Sequence, residues 1–171
     1  MDLRRFIRDV PDFPEPGIVF RDITPLLLDP SAARQATSEL VEFAAPLAVD
    51  IVVSAEARGF ILGGAIAQGL GAGFVPARKP GNLPAETVSV EYELEYGLDE
   101  LEIHADAFAH GARVLVHDDL IATGGTAAAT VELVEKLGGE VVGCAFLIEL
   151  AGLKGRQRIA AHEFHALMSL D

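Results

Sequence analysis

Short apolar runs alternate with helix-length segments along most of the chain. Strands are predicted at residues 51–53, 74–75, 113–116 and 141–148, and helices at 60–70 and about 127–137. Because these strands are apolar on both faces, they indicate an α/β fold with a parallel sheet flanked by helices. Ligands bind at the carboxyl ends of strands in such sheets, so a site is expected in the turns after Val53, Val116 and Ile148.

Two segments depart from this pattern. Apolar and polar residues alternate over 88–94, a period of two that predicts a half-exposed strand. Glu95-Tyr96-Gly97 can turn the chain into a second strand, so residues of about 86–104 are predicted to form a two-stranded mobile flap outside the main sheet. Upstream, several prolines and Gly17 predict an extended N-terminal arm at about 1–28, and Asp29 is predicted to cap a helix that begins at Pro30.

Length and charge narrow the class of protein. The 171 residues favour one domain spanning 1–171. With 26 acidic residues against 13 Lys and Arg, the net charge is −13, which disfavours nucleic acid and anionic membranes as partners. Any phosphate ligand must therefore be held by local groups. The single cysteine, Cys144, excludes an internal disulfide and fits a reducing compartment.

One uncharged segment has nearly the length of a membrane helix. Residues 59–77 contain six glycines and Pro76, which favour a helix, a turn and a short strand instead. The first ten residues mix charges of both signs and have no apolar stretch behind them, unlike a signal peptide. We expect a soluble, cytoplasmic protein.

The most informative segment is 114–126, with the sequence VLVHDDLIATGGT. An apolar strand leads into Asp118 and Asp119, and a loop of small residues then opens a helix. Backbone N–H groups of such a loop, with the positive end of the helix dipole, make a cradle for a phosphate group. Two adjacent carboxylates suit a vicinal diol or a metal cation. A sugar phosphate with free hydroxyls satisfies both halves of the motif.

This segment resembles the phosphoribosyl pyrophosphate loop of the type I phosphoribosyltransferases. Four further segments, at 13–25, 56–60, 78–81 and 94–97, stand in the order of the adenine-specific members, so the resemblance extends from about Phe6 to Arg158. It implies the fold of that family, with an arm that binds the base. It also implies that ribose 5-phosphate is bound by residues of the 114–126 loop: Asp118, Asp119, Ala122, Thr123, Gly124, Gly125 and Thr126.

The resemblance also assigns the pyrophosphate and the base. Pyrophosphate would be bound by Glu56, Ala57, Arg58 and Gly59, with Arg78 and Lys79, which would act either within one subunit or across a dimer interface. The Ala55–Glu56 peptide bond would be cis. Adenine would be read by the backbone of Val19 and Arg21, stacked on Phe20 and closed by Leu150. Without the resemblance, Arg58 reads as a surface arginine before a helix, and Phe20 as an anchor for the arm.

The resemblance names three residues as catalytic: Glu95, Tyr96 and Arg58. Glu95 would place a proton at N7 of the purine, with Tyr96 over the site. From the sequence alone Glu95 is one of six acidic residues that crowd the flap, and the resemblance singles it out.

Several positions either differ from the family pattern or partly match the motif of a different kind of site. Asn82 stands where the family usually carries a lysine, and His117 where an aliphatic residue is usual. His162 and His165 are too close for the HExxH zinc motif, and Cys144 is predicted to be an inert residue of an apolar strand.

The expected reaction is a Mg²⁺-dependent transfer of the phosphoribosyl group to adenine, giving AMP and pyrophosphate in purine salvage, by a homodimer. The metal would be held mainly by the substrate, with no protein ligand assigned. Two alternatives remain open: transfer to a 6-oxopurine, and a non-catalytic regulator that binds phosphoribosyl pyrophosphate. The regulator would need a DNA-binding extension and a basic face, neither of which the sequence presents.

Overall fold

A computed structural model describes residues 1–94 and 97–171. Four α-helices lie in these ranges: α1 (Thr24–Leu28), α2 (Pro30–Ala44), α3 (Gly59–Leu70) and α4 (Gly125–Lys136). The strands are β1 (Arg8–Pro11), β2 (Val19–Asp22), β3 (Ile51–Ala55), β4 (Gly73–Ala77), β5 (Thr87–Glu93), β6 (Leu98–His104), β7 (Arg113–Ile121), β8 (Glu140–Leu150) and β9 (Phe164–Leu170). Short 3-10 helices cover Leu3–Phe6, Ala45–Leu47, Ala151–Leu153 and Gly155–Ile159.

The central sheet has five parallel strands in the order β4-β3-β7-β8-β9. One face is covered by α4 together with the inner side of the β5–β6 hairpin, and the other by α1, α2 and α3. The predicted α/β fold with a helix-flanked parallel sheet is therefore confirmed. Its fifth strand, β9, was not predicted.

Helix boundaries follow local chemistry. The Asp29 carboxylate accepts hydrogen bonds from the N–H groups of Ser31 and Ala32, both at 2.9 Å, so the predicted cap of α2 is confirmed. The uncharged segment 59–77 forms α3 and β4, as predicted. Within 1–94 and 97–171, no helix is long and apolar enough to span a bilayer.

The arm and the flap each form a two-stranded antiparallel sheet. In the arm, β1 pairs with β2, and Arg8 donates to the Asp22 carboxylate at 2.6 Å across the pair. In the flap, β5 pairs with β6, and Val90, Tyr92, Leu101 and Ile103 are buried against the core. The base of the flap is thus part of the hydrophobic core, whereas Leu94 and Leu98, near its tip, are exposed.

Candidate active site

A cavity of about 440 Å³ lies at the carboxyl ends of β3 and β7, beneath the flap. Most of the predicted sugar-phosphate and pyrophosphate residues line it: Glu56, Ala57, Arg58, Lys79, Asp118, Asp119, Ala122, Thr123, Gly124, Gly125 and Thr126. Tyr92, Leu94 and Leu101 of the flap line it as well. The sequence analysis placed these three in the flap, with Leu94 in the 94–97 segment of the family resemblance, but assigned none of them to the site.

The loop between β7 and α4 has the geometry of an anion cradle. Gly124 has a φ of 82°, in the left-handed region, and α4 begins at the next residue. The free N–H groups of the first turn of α4 therefore open at the loop, together with the positive end of the helix dipole. We infer that the loop can bind a phosphate group without a side-chain cation of its own.

The acid pair lies inside β7 and not after it. The ladder with β8 continues past the acids, with Asp118 opposite Phe146 and Ile121 opposite Glu149, so the strand extends five residues beyond the predicted end at Val116. Gly59, the first residue of α3, packs against Asp118. A β-carbon at Gly59 would lie 2.7 Å from Oδ1 of Asp118 and 3.3 Å from its Cα, so a larger residue here would displace the Asp118 carboxylate.

The two carboxyl groups have different electrostatic surroundings. Burial raises the pKa of Asp118 well above its usual range, and the neighbouring charge of Asp119 adds to this effect. Asp119 forms an ion pair with Arg58, with 2.7 Å between Oδ2 and Nε. The pair therefore favours a neutral Asp118 beside a charged Asp119, which provides one hydrogen-bond donor and one strong acceptor.

Arg58 connects the acid pair to the arm. While its Nε is bound to Asp119, its guanidinium carbon lies 4.7 Å from the centre of the Phe20 ring. Phe20 also packs edge-to-face on Phe13, with 5.1 Å between ring centres. Arg58 therefore covers both the predicted ribose-binding carboxylate and the predicted stacking surface for the base.

The turn after β3 contains a cis peptide bond at Glu56–Ala57, so the expected position at Ala55–Glu56 was wrong by one residue. The Glu56 carboxylate accepts hydrogen bonds from the backbone N–H of Lys79 and from Asn82 Nδ2 at 3.2 Å, and Arg78 Nη2 lies 3.6 Å from it. Burial acts to raise the pKa of Glu56, but these donors lower it on balance. Asn82, at a position where a cation was expected, instead helps to hold this turn.

Lys79 links the cavity to the flap. Its ammonium group binds the Asp99 carboxylate and lies 3.3 Å from the Tyr92 hydroxyl, which itself donates to Asp99 at 3.1 Å. Burial acts to lower the pKa of Lys79, but the contacts with Asp99 and Tyr92 raise it on balance. No sequence motif predicts this cluster, because Lys79 and Asp99 are twenty residues apart.

The arm residues lie beside the cavity and not in its lining. The Arg21 guanidinium pairs with Asp9 at 2.5 Å and donates to the backbone of Asp171, so its side chain holds the arm in place. Val19 is exposed, and Leu150 is the last residue of β8. Arg58 is the contact that joins Phe20 to the cavity.

Comparisons with known proteins agree with this geometry. Residues 28–170 match the model of the phosphoribosyl transferase domain. An adenine phosphoribosyltransferase of Thermotoga petrophila is 56% identical over 168 residues, which cover 98% of this chain and 99% of the relative. The chain belongs to the adenine phosphoribosyltransferase family.

Solved structures of adenine phosphoribosyltransferases have the same fold. The enzyme of Thermoanaerobacter pseudethanolicus is 48% identical, with a TM-score of 0.96 over 99% of this chain and 98% of its own. The Saccharomyces cerevisiae enzyme, solved in complex with an imino-altritol bisphosphate and adenine, is 38% identical, with a TM-score of 0.92 over 98% and 97% of the two chains. The predicted resemblance and fold are both confirmed.

Two of the residues that the family resemblance names as catalytic, Glu95 and Tyr96, lie outside the described residues. Leu94 and Gly97 flank them, and the N–H of Leu94 donates to the Gly97 carbonyl at 2.9 Å. Their roles therefore remain predictions.

The structure accounts for the histidine and cysteine residues that the sequence analysis set apart from the site. No group of three or more His, Cys, Asp or Glu side chains in 1–94 and 97–171 is placed to hold a metal ion. Cys144 is buried in β8, and burial raises the pKa of its thiol to about 12. His117 is also fully buried. Its Nδ1 lies 2.9 Å from the Ala145 carbonyl, and burial lowers its pKa to about 4.

Proposed function

We propose that this protein transfers the 5-phosphoribosyl group of phosphoribosyl pyrophosphate to adenine, giving AMP and pyrophosphate. One observation carries the proposal: a single cavity joins a phosphate cradle, a buried acid pair and an arginine that reaches from the acid pair to an aromatic ring. These features correspond to the phosphate, the ribose hydroxyls and the base of the expected product.

The sugar phosphate takes the inner part of the cavity. The loop of Ala122, Thr123, Gly124, Gly125 and Thr126 receives the 5-phosphate at the N-terminus of α4. A neutral Asp118 can donate to one ribose hydroxyl while a charged Asp119 accepts from the other, in accord with the raised pKa of Asp118.

The pyrophosphate takes the basic part of the cavity. Arg58 and Lys79 are bound to carboxylates, at Asp119 and Asp99 respectively, and both groups line the cavity. A pyrophosphate carries more negative charge than either carboxylate and presents a better match to the arginine fork. We propose that the Arg58 and Lys79 side chains turn to the pyrophosphate when it binds. Arg78 and the backbone of Glu56, Ala57 and Gly59 would complete its binding site.

Adenine takes the place of the Arg58 guanidinium on Phe20. When Arg58 turns to the pyrophosphate, the ring face that it covers becomes available for stacking. The side chain of Arg21 is bound to Asp9 and Asp171, so this residue would present its backbone to the purine edge, together with that of Val19. Leu150 would close the opposite face.

In the reaction, the bond from ribose C1 to the pyrophosphate oxygen breaks with its electron pair on that oxygen, a bond from C1 to purine N9 forms, and the N9 proton passes to water or to the departing pyrophosphate. The protein positions the reactants, and the flap excludes water from them. Glu95, carried on the flap, places a proton at N7, which relieves the charge that develops on the purine, and takes it back when AMP has formed, with Tyr96 over the site.

A Mg²⁺ ion fits the donor set of the cavity. Any protein ligand would come from the Asp119 carboxylate, since no group of three acidic side chains among the described residues is placed to hold the ion, and most of its ligands would come from substrate oxygens. When bound, Mg²⁺ neutralises charge on the departing pyrophosphate.

We also propose that residues 1–171 form one domain, with the arm and the flap as parts of it, and that the protein works as a cytoplasmic homodimer. Core residues of the flap and of the sheet form one cluster, which supports a single domain. The single cysteine, buried as a free thiol, accords with a reducing compartment. Light scattering that gives twice the chain mass of 18.1 kDa would support the dimer, and the chain mass itself would contradict it.

The direct test is incubation of the purified protein with phosphoribosyl pyrophosphate, Mg²⁺ and adenine, with nucleotides resolved by chromatography. We expect AMP and pyrophosphate in equal amounts, and no AMP when EDTA is in excess over Mg²⁺. Absence of AMP, with phosphoribosyl pyrophosphate still bound, would favour a regulator instead. AMP formation that is unaffected by EDTA would contradict the role of the metal.

A further inference from the structure

Among residues 1–94 and 97–171, no cationic side chain lines the phosphate end of the cavity. The cations that line the cavity in these ranges are Arg58 and Lys79, and each of them is bound to a carboxylate. The proposed function directs both to the pyrophosphate. The loop of 122–126 would then bind a dianionic 5-phosphate without a cationic side chain, through N–H groups, the hydroxyls of Thr123 and Thr126 and the helix dipole, in a chain of net charge −13.

The 3-10 helix Gly155–Ile159 lies directly against this loop. A β-carbon at Gly155 would lie 2.2 Å from the Ala122 carbonyl oxygen and 2.8 Å from the Gly124 nitrogen. In the reverse direction, a β-carbon at Gly124 would lie 2.3 Å from the Gly155 carbonyl oxygen. Two backbones therefore pack against each other without intervening side chains, and buried Ile159 anchors the helix at its other end.

Arg158, in this helix, brings a guanidinium group to the phosphate loop. Its Nη1 would lie 3.6 Å from a β-carbon at Gly125, the first residue of α4. No carboxylate oxygen of residues 1–94 and 97–171 lies within 4.0 Å of its side-chain nitrogen atoms. Arg156, two residues earlier, instead places its guanidinium 4.5 Å from the centre of the Phe164 ring.

We propose that Arg158 is a substrate-binding residue, which supplies the cationic contact to the 5-phosphate of phosphoribosyl pyrophosphate. A guanidinium presents paired N–H donors that match two phosphate oxygens. It lies beside Gly125, on the side that faces Tyr92 and the Glu93 carbonyl of the flap and outside the cavity lining, so it would turn toward the loop to act on the same anion as the N–H groups of α4. The inference rests on the proposed function, because that function places the 5-phosphate in this loop.

The test is the affinity for ribose 5-phosphate, measured by isothermal titration calorimetry without adenine or pyrophosphate. Arg158→Gln removes the charge and keeps a long polar side chain on an exposed position. We expect its Kd to rise about tenfold. This factor corresponds to the lower end of the range for a charge-assisted hydrogen bond, because the side chain is exposed. Arg156→Gln is the matched control, in the same 3-10 helix but on the Phe164 ring, and its Kd should change less than twofold.

A rise of at least fivefold for Arg158→Gln, with less than twofold for Arg156→Gln, supports the inference, and any other pattern overturns it. Arg158→Lys keeps the charge and loses the fork, so its Kd should fall between those of the wild type and Arg158→Gln. If Arg158→Gln does not fold, an unchanged Kd for Arg158→Lys overturns the inference instead. A wild type that binds ribose 5-phosphate but forms no nucleotide from any base contradicts the proposed function alone.

Discussion

Gly155→Ala tests whether the packing behind the phosphate loop controls substrate binding. The new β-carbon would lie 2.2 Å from the Ala122 carbonyl oxygen, about 1 Å closer than such atoms can approach, and 2.8 Å from the Gly124 nitrogen. Both neighbours are backbone atoms, so the conflict is relieved only by a shift of the loop itself. Gly155 does not have a left-handed φ, so the substitution introduces a steric conflict and little backbone strain.

The magnitude follows from overpacking. Inserting one carbon into a tightly packed site typically costs about 1–3 kcal/mol. If the loop absorbs this by moving away from the phosphate, KM for phosphoribosyl pyrophosphate rises about 5- to 150-fold. KM for adenine should change little, because Phe20 belongs to the arm.

The assay is steady-state AMP formation with each substrate varied in turn, and Gly152→Ala is the control. Gly152 lies three residues earlier, in the exposed 3-10 helix Ala151–Leu153, and a β-carbon there would meet nothing within 4 Å. A KM for phosphoribosyl pyrophosphate in Gly155→Ala within twofold of that in Gly152→Ala would refute the reasoning. Melting temperatures of both variants separate a local shift of the loop from general unfolding.

Three further predictions concern the flap and two buried groups. Glu95→Gln should lower kcat for AMP formation about 100-fold or more with little change in KM, because glutamine cannot supply a proton at N7. A kcat within threefold of the wild type would contradict this role. Since burial lowers the pKa of His117 to about 4 while the unfolded chain titrates near 6.5, the unfolded state binds more protons between these values. The free energy of unfolding should therefore fall by up to about 3 kcal/mol as the pH drops from 6.5 to 4. In urea unfolding, His117→Val should not show this pH-dependent loss. Identical pH dependences for the variant and the wild type would show that His117 is not responsible. The Cys144 thiol, with a pKa raised to about 12, should react with a thiol reagent only when the protein unfolds, and rapid labelling of the native protein would contradict its burial.

The pattern of apolar residues was sufficient to predict four of the five strands of the sheet, because strands buried on both faces are continuous apolar runs. It failed where polar residues continue a strand. Asp118 and Asp119 suggested an end to β7, but ladder pairing with β8 carries the strand to Ile121. The edge strand β9 was missed because His165 and Ser169 interrupt its apolar pattern, and it is paired on one side only, by β8.

Only those parts of the site whose residues are neighbours in the sequence could be predicted. The loop of 122–126 and the turn of 56–59 are local motifs, and the cavity brings most of their residues together. The contact between Gly124 and Gly155, and the cluster of Lys79 with Asp99, join residues that are 31 and 20 positions apart. Nothing in the local sequence marks such pairs, since they depend on how the flap and the segment after β8 pack.

The central claim, that adenine is the acceptor, is tested most directly by comparing kcat/KM for adenine, hypoxanthine, guanine and xanthine with phosphoribosyl pyrophosphate and Mg²⁺. A purine with a 6-amino donor and one with a 6-oxo acceptor require opposite partners at the backbone of Val19 and Arg21. The account predicts AMP from adenine, with kcat/KM for the other bases lower by about 10⁴-fold or more. IMP, GMP or XMP formed at a comparable rate would preserve the fold and the phosphate site, and would contradict the account of how the arm recognises the base.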